Sequence, residues 1–306
     1  METETQGNRK SDEGNTASIV EPSYTVSAVT SKDGTKIGYR QYGHGPSVIL
    51  VMGAMGTAHN YDQLARILAT DFTVYVPDRR GRGMSPREYS PDHSIQRELE
   101  DLDSLLAQTR AHFVFGLSSG AVITLEAARV LPSIRKAVLY EPPFYLQGFP
   151  VDLMARFNSE VGHAKLAAAL VTLGKIVRLG PTLLDLVPRP LLELATARVL
   201  RVEEKKGTGK YASLRELIPA TRFDVKVVAE MDGKVESFKA VKPEILLLGG
   251  TKSPTYLKSA LAVLETIVPN VRRTELEGLD HSGSWNSDQG GNPELVAQSL
   301  LRFFSE

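Results

Sequence analysis

The chain has 306 residues, of which 42% are apolar and 24% charged, the proportions of an ordinary globular protein. Its 36 basic and 36 acidic side chains cancel, so no overall field recruits nucleic acid or an anionic membrane. With no cysteine, disulfides, thiolate catalysis, zinc–thiolate sites and iron–sulfur clusters are excluded together.

Residues 1–22 are polar and without a sustained apolar period, and are expected to form a disordered leader. No apolar run approaches the ~20 residues of a membrane span, and the N-terminus has no signal-peptide core. A soluble, cytoplasmic protein without a membrane partner is therefore expected. From Tyr24 onward, short apolar and β-branched runs alternate with helical stretches. Strands are expected at 24–30, 36–42, 47–53, 72–78, 112–118, 136–142, 244–250 and 272–279. The first two, joined around Asp33-Gly34, read as a hairpin. The later runs are apolar on both parities, as strands covered on both faces must be. Tyr61, Leu64, Ala65 and Leu68 keep a helical spacing, as do Leu295, Val296, Leu300, Phe303 and Phe304 near the end. Strand–helix repetition of this kind gives an α/β fold with an eight-stranded, mostly parallel sheet flanked by helices.

The alternation stops between about Phe144 and Val241. Helical patterns occupy Leu153–Val177, Thr182–Leu200 and Leu214–Glu230, with no convincing buried strand. A stretch so long is no loop, and a helical cap inserted at 144–241 is expected. The core is then 23–143 together with 242–306. Leu153, Met154, Leu183, Leu184, Leu186, Leu191 and Leu192 make the insertion aliphatic, as a lid over an apolar chamber or as helices packed on one another.

Gly116-Leu117-Ser118-Ser119-Gly120 has the pattern G-x-S-x-G. With 25 glycines in the chain, chance alone yields this pattern roughly 0.15 times, so the five letters carry little by themselves. Their position carries more. They end the expected strand at 112–118 and open a helix over 120–131, where a serine is held on a sharp strand-to-helix turn. A serine hydroxyl needs a base to take its proton. Of the six histidines, His281 follows the last core strand and precedes the final helix, which is where the base of such an enzyme stands.

With these residues the chain resembles the serine-nucleophile branch of the α/β-hydrolase superfamily, over residues 24–142 and 242–305. Asp78-Arg79-Arg80-Gly81-Arg82-Gly83-Met84-Ser85 is similar to the family's D-x-R-G-x-G-x-S turn after the fourth strand. The resemblance implies Ser118 as nucleophile and His281 as base. It implies an oxyanion hole from the backbone N–H groups of Ser119 and Ala54, the latter in Met52-Gly53-Ala54-Met55-Gly56. Met52 stands where relatives often carry histidine. Most relatives place the acid after the seventh strand, but no carboxylate occurs between Glu244 and Glu265. Glu141, at the end of the sixth strand, is expected instead. Some relatives, including lactonases of the zearalenone-hydrolysing type, keep their acid there. Asp280 and Ser253 are the alternative supports for His281. Met52, Met55, Tyr140 and Trp285 are candidate lining residues.

The resemblance implies a serine hydrolase for an apolar carboxylic ester or lactone. Cleavage of a C–C bond beside a ketone and cofactor-free perhydrolysis use the same parts. A hydrolase fold kept as a small-molecule receptor is the reading outside enzymes. No Walker loop, no G-x-G-x-x-G after a strand and no H-E-x-x-H occurs, so neither cofactor nor metal is expected. The oligomeric state is left open by the sequence.

Overall fold

The structure is a computed structural model that describes residues 24–178 and 186–306. The expected leader at 1–22 lies outside the described residues, as do Leu183 and Leu184 of the insertion. Strands β1 (Thr25–Thr30) and β2 (Lys36–Tyr42) form the hairpin turning at Asp33-Gly34. They are followed by β3 (Ser47–Val51), α1 (Asp62–Leu68), β4 (Thr73–Pro77), α2 (Ile95–Thr109), β5 (Phe113–Leu117), α3 (Ser119–Val130) and β6 (Lys136–Tyr140). The helical insertion contributes α4 (Val151–Gly162), α5 (Leu166–Ile176), α6 (Arg189–Lys206) and α7 (Leu214–Glu230). The chain then returns to the sheet with β7 (Glu244–Gly250), α8 (Thr255–Ile267), β8 (Val271–Leu276) and α9 (Pro293–Ser305).

The eight strands form one sheet in the order β1-β2-β4-β3-β5-β6-β7-β8. β1 and β2 are antiparallel to their neighbours, and β4 through β8 run parallel. The expected α/β class, the eight strands and the inserted helical region are all present. The two-residue period divides the sheet between two cores. Leu50, Val76, Phe115, Val138 and Leu248 meet α1 and α9 on one face. Ile49, Val114, Leu139 and Leu247 meet α2, α3 and α8 on the other. β1 and β8 are the edge strands, and the exposed charges of β8 are paired, for example Arg272 with Glu306. Because β5 to β8 are parallel neighbours, their C-terminal ends open on the same edge, where such sheets hold their ligands.

Two local expectations are corrected. The pattern expected over Leu153–Val177 is two helices, α4 and α5, broken at Gly162–Lys165 with Ala164 at φ 56°. Both helices turn apolar faces inward, so their summed pattern crosses the break without a visible gap. The helix expected to stop at Leu200 continues as α6 to Lys206, through charged residues that stay in solvent. In α7, Ser213 and Glu216 form a reciprocal capping box that fixes the first turn. Among the described residues, no helix is long and apolar enough to cross a membrane.

Candidate active site

β5 runs directly into Ser118, which is held at φ 55° and ψ −124°, and α3 starts one residue later. A side chain in this backbone region is strained, and the surrounding structure must hold it there. The Ser118 N–H donates to the Tyr140 carbonyl at 2.9 Å, and the Ser118 carbonyl accepts from Ala121 (2.9 Å) and Val122 (3.1 Å). Close approach explains two of the glycines. A Cβ at Gly120 would lie 2.5 Å from the Met52 carbonyl oxygen, so the first turn of α3 rests on the loop that follows β3. A Cβ at Gly53 would lie 2.8 Å from the Ser118 Cβ. Neither the Ala54 N–H nor the Ser119 N–H meets an acceptor among the described residues.

Glu141 follows β6 at φ 49° and is fully buried. Its carboxylate is surrounded by donors. Oε1 accepts from the Gly250 N–H at 2.8 Å and from the Ser253 hydroxyl, and Oε2 meets His281 Nδ1 at 2.7 Å. A carboxylate oxygen in this contact accepts, so Nδ1 is the donating nitrogen and Nε2 is the one turned away from Glu141. Ser253, a weighed alternative to Glu141, is a donor to it. Asp280, the other alternative, is exposed, and its carboxylate accepts from the N–H (2.9 Å) and hydroxyl (2.7 Å) of Ser282. The histidine loop is tied to its neighbours. Lys252 N–H donates to the Leu279 carbonyl at 2.8 Å, and the Tyr140 hydroxyl donates to the Asp280 carbonyl at 2.7 Å.

Ser118 and His281 line one cavity of about 620 Å³ together with Ala54, Met55 and Trp285. Its walls are mostly apolar: Leu170 and Leu173 from α5 with Val177 just after it, and Pro254 and Leu257 at the start of α8. Lys252, Asp280 and Ser282 add polar groups beside His281. Two candidate lining residues are corrected. Met52 and Tyr140 are completely buried behind the wall, because strand parity sends both side chains into the core beneath α1 and α9. Among the described residues, the insertion supplies its wall through α5, and Leu153, Met154, Leu186, Leu191 and Leu192 do not line the cavity. Leu186 and Leu191 are 78% and 56% exposed, and Leu153 and Met154 pack against the core. Among the described residues, no three metal-binding side chains cluster.

One group was not legible in the sequence. Asp224, in the middle of α7, is buried against the elbow. It pairs with Arg79 and Arg82 and accepts from the Ser119 hydroxyl at 2.6 Å. Burial alone disfavours its charge, but the two guanidinium groups outweigh burial and hold its carboxyl below the usual range. Arg79 is shared with Glu98 at 2.8 Å, and Arg80 with Asp33 and Asp101. The arginines of the turn after β4 therefore face inward, into ion pairs. A lone aspartate inside an amphipathic helix gives no sign of a partner 145 residues away.

Residues 44–298 match the alpha/beta hydrolase family. The chain is 33% identical over 117 residues to the uncharacterized hydrolase YraK of Bacillus subtilis, a match that spans 37% of this chain and 43%, less than half, of that protein. It is 24% identical over 267 residues to the 3-hydroxybutyrate-oligomer hydrolase of Cupriavidus necator, covering 81% of this chain and 87% of that one. Among solved structures, an alpha/beta hydrolase of Sphaerobacter thermophilus superposes with a TM-score of 0.72 at 27% identity, over 91% of this chain and all (100%) of that one. A match over most of the chain, on a sheet with this strand order, is decisive: the protein belongs to the alpha/beta hydrolase family.

Proposed function

We propose that the protein is a serine hydrolase that cleaves an apolar carboxylic ester or lactone through an acyl-enzyme, using Ser118, His281 and Glu141. The observation that carries this reading is the 2.7 Å contact of His281 Nδ1 with a buried carboxylate, beside a strained serine on the same cavity. Ser118 Oγ attacks the carbonyl carbon as His281 Nε2 takes its proton. The oxyanion is held by the Ala54 and Ser119 N–H groups, each contributing about 3 kcal/mol when well aimed. The imidazolium then protonates the leaving oxygen, and a water activated by the same Nε2 attacks the acyl-enzyme. Glu141 remains ionised throughout. Its other oxygen is already occupied by Gly250 and Ser253, so the carboxylate has no freedom to rotate away from the imidazole.

A cavity of about 620 Å³ with aliphatic walls fits a medium-sized acyl group or lactone ring. The name of the Cupriavidus necator relative, a 3-hydroxybutyrate-oligomer hydrolase, supports a hydrolytic reaction. The test is labelling by a fluorophosphonate probe, with the modified peptide read by mass spectrometry in wild type and Ser118→Ala. Rapid labelling at Ser118, absent from the variant, is the expected result. A folded wild-type protein that resists even a small probe would overturn the reading and leave a hydrolase-fold receptor in its place.

A further inference from the structure

We propose that Asp224 of the inserted helix α7 is a positioning residue for the oxyanion hole, so that the insertion controls the rate of the chemical step as well as the shape of the cavity. The proposal rests on the serine-hydrolase reading above. Its basis is the pair of arginines that Asp224 holds. Arg82 Nη1 donates to the Gly53 carbonyl at 3.1 Å and approaches the Gly56 carbonyl at 3.4 Å. Arg79 Nη1 reaches the Met52 carbonyl at 3.3 Å. Both guanidinium groups thus hold the carbonyls of the loop that carries Ala54.

The geometry of the peptide unit gives these contacts their meaning. The Gly53 carbonyl and the Ala54 N–H belong to one planar trans amide, where the two bonds point in opposite directions. Anchoring that carbonyl on Arg82 sets the direction of the Ala54 N–H. Glycine at 53 has little conformational preference of its own, so without the anchor this peptide is free to turn. The second donor depends on the same carboxylate. The Ser119 hydroxyl donates to Asp224 at 2.6 Å and accepts from Arg79 Nη1 at 3.0 Å, fixing the residue whose N–H completes the hole. One side chain of α7 therefore reaches both donors, one directly and one through Arg82. Thr221, a turn earlier on α7, adds a contact from its hydroxyl to the Met55 sulfur at 3.1 Å.

Oxyanion donors act in the transition state more than in the ground state, so their misalignment lowers kcat and leaves KM nearly unchanged. A merely structural seam between insertion and core does not make that distinction. The test compares wild type, Asp224→Asn, Arg82→Met and Glu230→Gln with p-nitrophenyl butyrate. Glu230 is also on α7 and also crosses to the core, accepting from the Ile95 N–H at 2.8 Å, but touches nothing in the oxyanion loop. Arg82→Met leaves Asp224 paired with Arg79, and remains informative where an Asp224 variant fails to fold. The expected result is a fall in kcat of about 10–100-fold in Asp224→Asn and Arg82→Met, with KM within about twofold and Glu230→Gln unaffected. Unchanged kcat in both variants overturns the proposal, as does an equal loss in Glu230→Gln. If wild type neither turns over the ester nor labels at Ser118, the serine-hydrolase reading fails first and takes this proposal with it.

Discussion

His281 and Glu141 meet at 2.7 Å across 140 residues of sequence, and the carboxylate reaches the imidazole by passing over the end of a neighbouring strand. The Glu141 N–H bonds to the Leu248 carbonyl of β7 at 3.1 Å. A Cβ at Gly249 would come within 3.1 Å of Glu141 Oε1. Gly249, near the end of β7, thus leaves room for a glutamate launched from β6, and the extra methylene supplies the reach.

The double occupation of Oε1 makes Glu141→Gln informative. A glutamine in this site must turn its carbonyl oxygen toward the Gly250 N–H and the Ser253 hydroxyl, which presents its NH₂ to His281 Nδ1. The imidazole proton is then forced onto Nε2, and the base is lost. The expected fall in kcat is about 10⁴-fold with the fold retained. Ser253→Ala removes one donor and is expected to cost less than about tenfold, from a hydrogen bond worth ~1 kcal/mol. Steady-state rates, together with nitrogen NMR of the imidazole tautomer, check both.

Gly174 of α5 lines the cavity, and a Cβ placed there meets nothing within 4 Å. Gly174→Leu is expected to raise stability by about 0.5–1 kcal/mol through helix propensity. The same side chain fills part of the apolar space. Turnover of long-chain p-nitrophenyl esters is expected to fall while the acetate is spared, as a chain-length series would show.

Gly120→Ala is expected to damage both fold and rate. Its Cβ would press on the Met52 and Val51 carbonyl oxygens at 2.5 Å, which are backbone atoms that cannot swing aside. Overpacking of this kind costs about 1–3 kcal/mol, and it pushes the oxyanion loop away from Ser118. Thermal unfolding and kcat, measured side by side, are expected to fall together.

The insertion has its own acid sensitivity. Glu160 on α4 is bonded by Thr172 of α5 and by Arg156 and Arg189, the last opening α6. Burial works against its charge, but these partners outweigh burial and hold its carboxyl below the ordinary 4.5. Since the folded-state value is the lower one, the contribution is complete above pH 4.5 and is lost as pH falls through the depressed value. Protection factors for hydrogen exchange in α4–α6, corrected for the intrinsic pH dependence of exchange, are expected to fall at acid pH in wild type. Glu160→Gln should be less protected at neutral pH and should lack this acid-dependent change.

What the sequence disclosed follows from local chemistry. The strands are legible because a buried sheet needs apolar residues on both parities, and Ser118 and His281 because a strand-end turn and a late loop constrain residue type. Glu141 is pointed to by the resemblance, since the loop after β7 has no carboxylate and some relatives keep their acid at the end of the sixth strand. Met52 and Tyr140 were misplaced because a one-residue change of parity moves a side chain from cavity to core. The break between α4 and α5 was hidden because two helices facing one core continue a single pattern. Asp224 was hidden for a different reason: its partners lie on another element, and nothing local marks an aspartate that will be buried.

The helical insertion lies between β6 and β7 and carries Asp224 on its last long helix. Exchanging it for the insertion of another hydrolase is thus not a neutral swap of specificity elements. A chimaera that replaces everything from residue 144 to 241 leaves Arg82 buried without its carboxylate and Arg79 with Glu98 alone. A graft that keeps α7 as the receiving scaffold, and exchanges α4 to α6, changes the wall over the substrate without touching that charge balance. The seam for engineering this protein therefore falls inside the insertion, ahead of Ser213, rather than at its boundaries with the sheet.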